Sequence, residues 1–251
     1  MKISTVTVCY NSRSSIGRTV ESFLQQNYSN KELLVVDGGS HDGTVDIVKS
    51  FGSDAVRIIS ERDNGIYDAM NKGLMAFGGD AVGFLNSDDT YHDNTVLSRI
   101  AEGLGKADLV YGDLVMISDH ATKTPLRNWR AGSFIRGSFR TGWMPPHPTF
   151  YVRRELAQRV GHFDLSYQIS ADYDFMLRAM ELGDARAHYI AHTMVDFMVG
   201  GRSTSGLGAV IRGNLECMRA RRKNLRTAPV DLAFVSKPLQ KLRQIKWRNL
   251  P

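Results

Sequence analysis

The acidic and amide side chains in the first half of this sequence gather just beyond apolar runs. Val35-Val36-Asp37-Gly38-Gly39-Ser40-His41-Asp42-Gly43-Thr44 sets a carboxylate at the end of one run, then two glycines that permit close backbone approach, then residues able to cap a helix. An Asp there can accept hydrogen bonds from the ring or ribose of a nucleotide. The same residues also suit a tight strand-to-helix turn with Asp42 and Thr44 as local caps. The glycine spacing fits neither a P-loop nor a dinucleotide fold. Asn86-Ser87-Asp88-Asp89 places hard oxygen ligands side by side. Such a cluster can hold Mg²⁺ or Mn²⁺ with few protein bonds and leave positions for a substrate diphosphate, or it can form an Asx turn capping the next helix. Between the two lies Asp63-Asn64-Gly65-Ile66-Tyr67-Asp68-Ala69-Met70-Asn71-Lys72-Gly73, whose helical part sets Asp68, Asn71 and Lys72 one turn apart along one side. Polar groups on a helix that must also pack against a sheet suggest a ligand.

The elements that must position these groups follow from periodicity. Ile3 to Cys9 reads as a strand, and Ile16, Val20, Phe23 and Leu24 share one face of a helix beginning near Ser12. Leu33 to Val36 is a buried strand ending at Asp37, and Val45, Ile47 and Val48 continue as a helix. Val56 to Ile59 is a third strand, Ile66 to Phe77 a helix and Ala81 to Leu85 a fourth strand. This alternation predicts an α/β fold with a mostly parallel central sheet and crossover helices, in which ligands bind beyond the carboxyl ends of the strands. After Asp108 the pattern loosens. Leu109 to Tyr111 and Leu114 to Ile117 look like strands, and Trp129 to Pro148 lacks helical period and reads as a mobile acceptor-side loop. A strand at Thr149 to Val152, a helix from Ala171 to Leu182 and a strand near Ala187 to Ile190 complete the domain.

At 251 residues, with 42% hydrophobic and 23% charged residues, the chain suits one large domain or one domain with a small appendage, and extensive disorder is excluded. Only Cys9 and Cys217 are present, which rules out a disulfide framework or a Cys-rich zinc site. The N-terminus reads as a first strand rather than a signal peptide, and no apolar run approaches a membrane span. The net charge of +6 is uneven: from Arg212 onward eleven Lys and Arg face only Glu216 and Asp231, so this tail carries +9 and the rest of the chain −3. Positive charge confined to a tail argues against a nucleic-acid-binding face. Val210 to Arg226 reads as an amphipathic helix, and Leu232 to Trp247 as a second amphipathic segment. Either could lie on an anionic membrane, pack on the domain or form a homodimer contact.

Taken together, Thr7-Val8-Cys9-Tyr10-Asn11, Val36-Asp37-Gly38-Gly39-Ser40, Asp63-x-Gly65-Ile66-Tyr67-Asp68-Ala69-Met70-Asn71-Lys72-Gly73 and Phe84-Leu85-Asn86-Ser87-Asp88-Asp89 resemble, in order and spacing, the nucleotide-sugar half of a family 2 glycosyltransferase of GT-A fold. Pro146-His147-x-Thr149-Phe150 and Tyr167-x-Ile169-Ser170-Ala171-Asp172-Tyr173-Asp174 are similar to the acceptor half, in particular to transferases that build bacterial exopolysaccharide, of the colanic acid type, or O-antigen repeat units. The resemblance covers residues 3 to 205. It implies a donor half over 1–114, an acceptor half over 115–205 and a basic helical extension over 206–251.

The resemblance also implies roles. Asp37 would hold the nucleobase, with Thr7 and Asn11 near the nucleoside and Ser40, Asp63 and Lys72 completing that pocket. Asp89 would coordinate a divalent cation, Mn²⁺ or Mg²⁺, with Asp88 supporting it through ribose or a metal-bound water. Asp172 would be the general base. Many members carry Glu-Asp at that point and this chain has Ala171-Asp172, so one acid is missing and the other kept. Read from the residues themselves, His147 after Pro145-Pro146 could line the acceptor cleft or be a satisfied loop histidine, and Arg202 could contact the diphosphate or belong to a hinge before the tail. The implied reaction is inverting, metal-dependent transfer from a UDP- or GDP-sugar to a saccharide, polyprenyl-diphosphate-linked at the cytoplasmic face of the membrane. A sugar nucleotidyltransferase is the competing enzyme class; it needs a Gly-rich basic loop near the N-terminus, and Asn11-Ser12-Arg13-Ser14-Ser15 is not one.

Overall fold

Strands β1 (Ile3–Cys9), β2 (Lys31–Asp37), β3 (Val56–Ser60) and β4 (Ala81–Phe84) alternate with helices α1 (Ile16–Leu24), α2 (Thr44–Ser50) and α3 (Ile66–Ala76) in the computed structural model, which describes residues 1–200 and 207–226. The second half adds β5 (Thr90–Tyr91), α4 (Val96–Leu104), β6 (Leu109–Ile117), β7 (Pro125–Trp129), β8 (Tyr151–Arg153), α5 (Arg154–Val160), α6 (Ala171–Glu181), β9 (Ala187–Met198) and α7 (Leu207–Leu225). One sheet runs β3-β2-β1-β4-β8-β6-β9-β5, with β7 paired to β6. β3, β2, β1 and β4 are mutually parallel and β6 is parallel to β9, while β8 and β5 run against their neighbours. The α/β reading with a mostly parallel sheet therefore holds.

Burial explains the strand signals. Leu33, Leu34, Val35 and Val36 are all buried because helices cover both faces of the sheet, which is why they form an unbroken apolar run rather than an alternation. In α1, Ile16, Val20 and Phe23 are buried at helical spacing, and burial of each such side chain contributes about 1.5–3 kcal/mol. β1 pairs with β2 on one side and β4 on the other, so the connections leave it in opposite directions. The carboxyl ends of β1 and β4 flank that switch point, where open α/β sheets take their ligands.

One expectation changes and one open alternative narrows. The segment from Trp129 to Pro148 is anchored rather than mobile: Phe139 and Trp143 meet edge-on at 5.5 Å, and Phe139 packs against Tyr173 and Trp143 against Tyr111. Isolated aromatics supply large contact area without any periodic signature. The alternative concerns the tail. α7 packs on α6 as part of the same body, with Arg221 only 2% exposed over the Tyr173 ring and donating to its hydroxyl at 3.0 Å. Asn224 reaches the buried Asp174 at 2.8 Å, and Lys223 pairs with Asp164 at 2.8 Å. Of the three placements its sequence leaves open, α7 takes the one packed on the domain. Arg202 and the second amphipathic segment lie outside the described residues. Among the described residues no helix is long and apolar enough to cross a membrane.

Candidate active site

Three loops leave the carboxyl ends of β1, β2 and β4 and are latched together by their own polar residues. Asn11, in the left-handed conformation (φ 50°), donates its N–H to the Ser40 hydroxyl at 2.8 Å and accepts from the His41 N–H at 3.1 Å. The Ser12 N–H donates to Thr44 Oγ1 at 2.8 Å, and the Ser12 and Ser87 hydroxyls are 3.0 Å apart. Thr44 N–H donates in turn to Asp42, the cap expected from the sequence. Asn11 and Ser40 therefore shape the rim of the crevice by holding each other.

Asp37 is committed to its own turn. It is fully buried, and its two oxygens accept from the N–H groups of Gly39 and Ser40 at 3.1 and 3.0 Å and from the hydroxyls of Ser40 and Ser60 at 2.5 and 2.7 Å. Burial pushes its carboxyl upward, but the Ser40 and Ser60 hydroxyls and these amides outweigh it, leaving the group below its ordinary value. With no accessible surface and these four hydrogen bonds, the Asp37 carboxylate organises the turn. Burial and the neighbouring Asp37 charge raise the Cys9 thiol, so Cys9 is an inert strand residue.

The group that does face the rim is Asp63. A Cβ at Gly38 would lie 2.3 Å from Asp63 Oδ2 and 3.4 Å from the Tyr10 ring, so glycine at 38 is what allows the Asp63 carboxylate and the Tyr10 ring to come together. Asp63 Oδ1 accepts from the Gly65 N–H at 2.8 Å. Tyr10, which the sequence reading passed over, is 54% exposed at the end of β1, a flat ring available for stacking. Lys72 is spent on the loop beneath, donating to the Arg62 carbonyl at 2.6 Å and pairing with Glu61 at 2.9 Å. Asn71 is equally committed, exchanging two hydrogen bonds with the Phe163 backbone and so tying α3 to the second half of the chain. Asp68 accepts from the Asn64 N–H. The polar side of α3 is thus structural. Thr7 is fully buried within β1, with a hydroxyl that has no partner among the described residues and no surface open to a nucleoside.

At the end of β4 the two aspartates differ in burial and in hydrogen bonding. Asp89 is 0% exposed; its oxygens accept from the Asn86 side-chain amide at 2.8 Å and from the Met198 N–H at 3.0 Å. Burial first, and the adjacent Asp88 charge second, push its carboxyl well above the ordinary range. In this arrangement it pins the loop to β9. Asp88 is half-buried, and its carboxylate has no Lys or Arg partner among the described residues. Burial raises it above its ordinary value, against weaker downward pulls from its own backbone and His120. An under-compensated hard oxygen donor of this kind fits a divalent cation. No group of three His, Cys, Asp or Glu side chains converges among the described residues, so such a cation would depend on one protein carboxylate and on substrate phosphates.

The second half brings its carboxylate to the same edge. Phe84, the last residue of β4, stacks on the His147 ring at 5.5 Å. Burial lowers the His147 imidazole and the nearby Asp172 charge pulls it back up, so burial wins and the ring is neutral at neutral pH. Asp172 lies in the first turn of α6, where negative charge complements the helix dipole, and accepts from the Tyr173 N–H at 2.8 Å. The Tyr67 hydroxyl lies 3.3 Å from Asp172 and also reaches the Ile169 carbonyl. Tyr67 therefore links the α3 motif to the loop that carries Asp172, a link invisible in a linear pattern.

The comparisons agree with this architecture. The model of Glycosyl transferase family 2 matches residues 4–165. A PGL/p-HBAD biosynthesis glycosyltransferase of Mycobacterium bovis is 36% identical over 165 residues, 63% of this chain and 62% of the relative, so the chain spans less than two thirds of that relative's length. An uncharacterized glycosyltransferase of Mycobacterium tuberculosis is 30% identical over 187 residues, covering 70% of this chain and 68% of the relative. Among solved structures, S. aureus TarS 1-349 in complex with UDP-GlcNAc matches with TM-score 0.69 at 19% identity over 93% of this chain and 69% of that one. Mannosyltransferase PcManGT from Pyrobaculum calidifontis in complex with GDP-Man and Mn²⁺ matches with TM-score 0.67 at 18% identity over 97% of this chain and 69% of that one. At those identities the structural matches show the fold.

Proposed function

The chain belongs to glycosyl transferase family 2, and from that premise we propose that it transfers a sugar from a UDP- or GDP-sugar to a saccharide hydroxyl, inverting the anomeric carbon, with a divalent cation. The observation that carries this reading is a pair of carboxylates without Lys or Arg partners among the described residues, Asp88 and Asp172, set around the carboxyl end of β4 through Phe84 and His147. Asp172 accepts the proton of the acceptor hydroxyl as its oxygen bonds to the anomeric carbon and the bond to the diphosphate breaks. Asp88 holds the cation, Mn²⁺ or Mg²⁺, which when bound neutralises charge developing on the leaving diphosphate. Tyr10 and Asp63 receive the nucleoside, the ring by stacking and the carboxylate by accepting hydrogen bonds, while Asn11 and Ser40 keep the rim in shape. His147, neutral and buried beside Asp172, lines the acceptor side. A single displacement accounts for inversion, and the motifs identify no second, nucleophilic carboxylate for a double one.

A panel of UDP- and GDP-sugars tests the reading by thermal unfolding and by release of nucleoside diphosphate. One nucleotide class should raise the melting temperature with Mn²⁺ and lose that effect in EDTA; a ligand at a hundred times its Kd adds about 2.7 kcal/mol. No stabilisation by any member, with or without Mn²⁺, would overturn it.

The tail extends the proposal to a polyprenyl-diphosphate-linked acceptor at the inner face of a membrane. Its charge is +9 from Arg212 onward, and α7 exposes Val210, Ile211 and Leu215. The full chain should float with vesicles containing anionic phospholipid and not with neutral ones. Equal recovery from both would overturn the membrane reading.

A further inference from the structure

Helix α7 touches the loop ahead of Asp172 at one concentrated point. Glu216 accepts from three successive backbone N–H groups, Gln168 at 3.0 Å, Ile169 at 2.9 Å and Ser170 at 2.9 Å. Three amides turned toward one carboxylate form a nest, and hydrogen bonds to a charged acceptor are the stronger kind. The Ser170 hydroxyl donates to the Gly213 carbonyl at 3.0 Å one turn earlier in α7, and the Arg212 guanidinium donates to the Gln168 side chain. Gly213 makes this approach possible, because a Cβ there would already sit 3.3 Å from the Ile169 side chain. From the other side the Tyr67 hydroxyl holds the Ile169 carbonyl and lies 3.3 Å from Asp172. The loop 168–170 is thus gripped between α7 and α3, two residues ahead of the carboxylate it delivers.

We infer that Glu216 is a positioning residue for Asp172, so that α7 is a working part of the catalytic site rather than an attached tail. The inference rests on the reading of Asp172 as general base. Without the Glu216 carboxylate, three N–H groups lose their common acceptor, the first turn of α6 loosens, and Asp172 samples positions from which it cannot take the acceptor proton. Donor binding, which depends on the loops after β1, β2 and β4, is untouched.

The test compares Glu216→Ala, Glu216→Gln, Asp172→Asn and Lys223→Ala. Lys223→Ala removes a different α7 contact, the pair with Asp164, without touching the 168–170 loop. Each full-length protein is assayed for nucleoside diphosphate release from the UDP- or GDP-sugar that binds best, at a temperature well below unfolding. Glu216→Ala should lower kcat on the order of ten- to a hundred-fold, the scale of a misplaced catalytic group, with KM for the donor changed less than two-fold. Glu216→Gln, whose carbonyl still accepts, should recover part of that loss, and Lys223→Ala should keep kcat whatever its melting temperature. Normal kcat in Glu216→Ala beside an inactive Asp172→Asn overturns the inference alone. An active Asp172→Asn overturns the base assignment and the inference with it. Should Glu216→Ala fail to fold, the kcat of Glu216→Gln decides: unchanged kcat rejects the positioning role.

Discussion

Asp172→Asn should cut sugar transfer by about three orders of magnitude, within the range that general-base catalysis supplies, while nucleotide-sugar binding stays within about two-fold of the parent. The substitution is close to isosteric, and the amide oxygen can still accept from the Tyr173 N–H that now bonds Oδ1, so the first turn of α6 keeps its shape. What disappears is the capacity to accept a proton from the acceptor hydroxyl. Because the proposed nucleotide-binding rim is built from the loops after β1, β2 and β4, and Asp172 comes from α6, the two measurements separate cleanly. Melting curves with the best-binding nucleotide and Mn²⁺ report the first, and product formation under saturating donor reports the second. Turnover within ten-fold of the parent would remove Asp172 from the role of base. The neutral, buried His147 beside it would then be the next group to examine.

How much of this was legible beforehand depends on the kind of information each feature carries. The alternation of strand and helix through residue 85 is local, and the observed elements follow it closely because a buried parallel strand and an amphipathic helix write different periods into the chain. Motif order likewise brought the right loops together, those after β1, β2 and β4. What the motifs could not tell is which way each carboxylate faces. Asp37 and Asp89 look like the stronger ligands in sequence, each closing an apolar strand, yet both turn inward. The partners that turn them, Ser60 from β3 and the Met198 N–H from β9, lie 23 and 109 residues away in the chain. Gly38 shows the same logic from the other side: its missing side chain matters only because Asp63 arrives there from another loop. Sequence alone left the placement of the tail open for a further reason. Arg221 reads as one more surface cation, and only the tertiary fold reveals a guanidinium laid over Tyr173 inside the core.

The proposed assignment of the cation to Asp88 rather than Asp89 leads to the second large effect. Asp88→Ala should abolish the Mn²⁺-dependent part of nucleotide stabilisation and lower transfer on the order of a hundred-fold or more, the scale of losing a group that offsets developing charge. It should leave the melting temperature of the free protein nearly unchanged or slightly raised. The half-buried carboxylate has no basic partner among the described residues, and its charge opposes that of Asp89. Asp89→Ala should behave in the opposite way. Removing it strands the Asn86 amide and the Met198 N–H in a buried place and releases the loop from β9, at a cost of about 2–4 kcal/mol. For a chain of this size that corresponds to a fall in melting temperature of roughly 5–15 °C. Any loss of activity would then track the unfolded fraction and a slackened loop rather than the cation alone. The decisive measurement is a Mn²⁺ titration of nucleotide-induced stabilisation in both variants. If Asp88→Ala still responds to Mn²⁺ while a normally folded Asp89→Ala does not, the inward-facing carboxylate must swing out on binding, and the loop after β4 would have to break its tie to Met198 to do so.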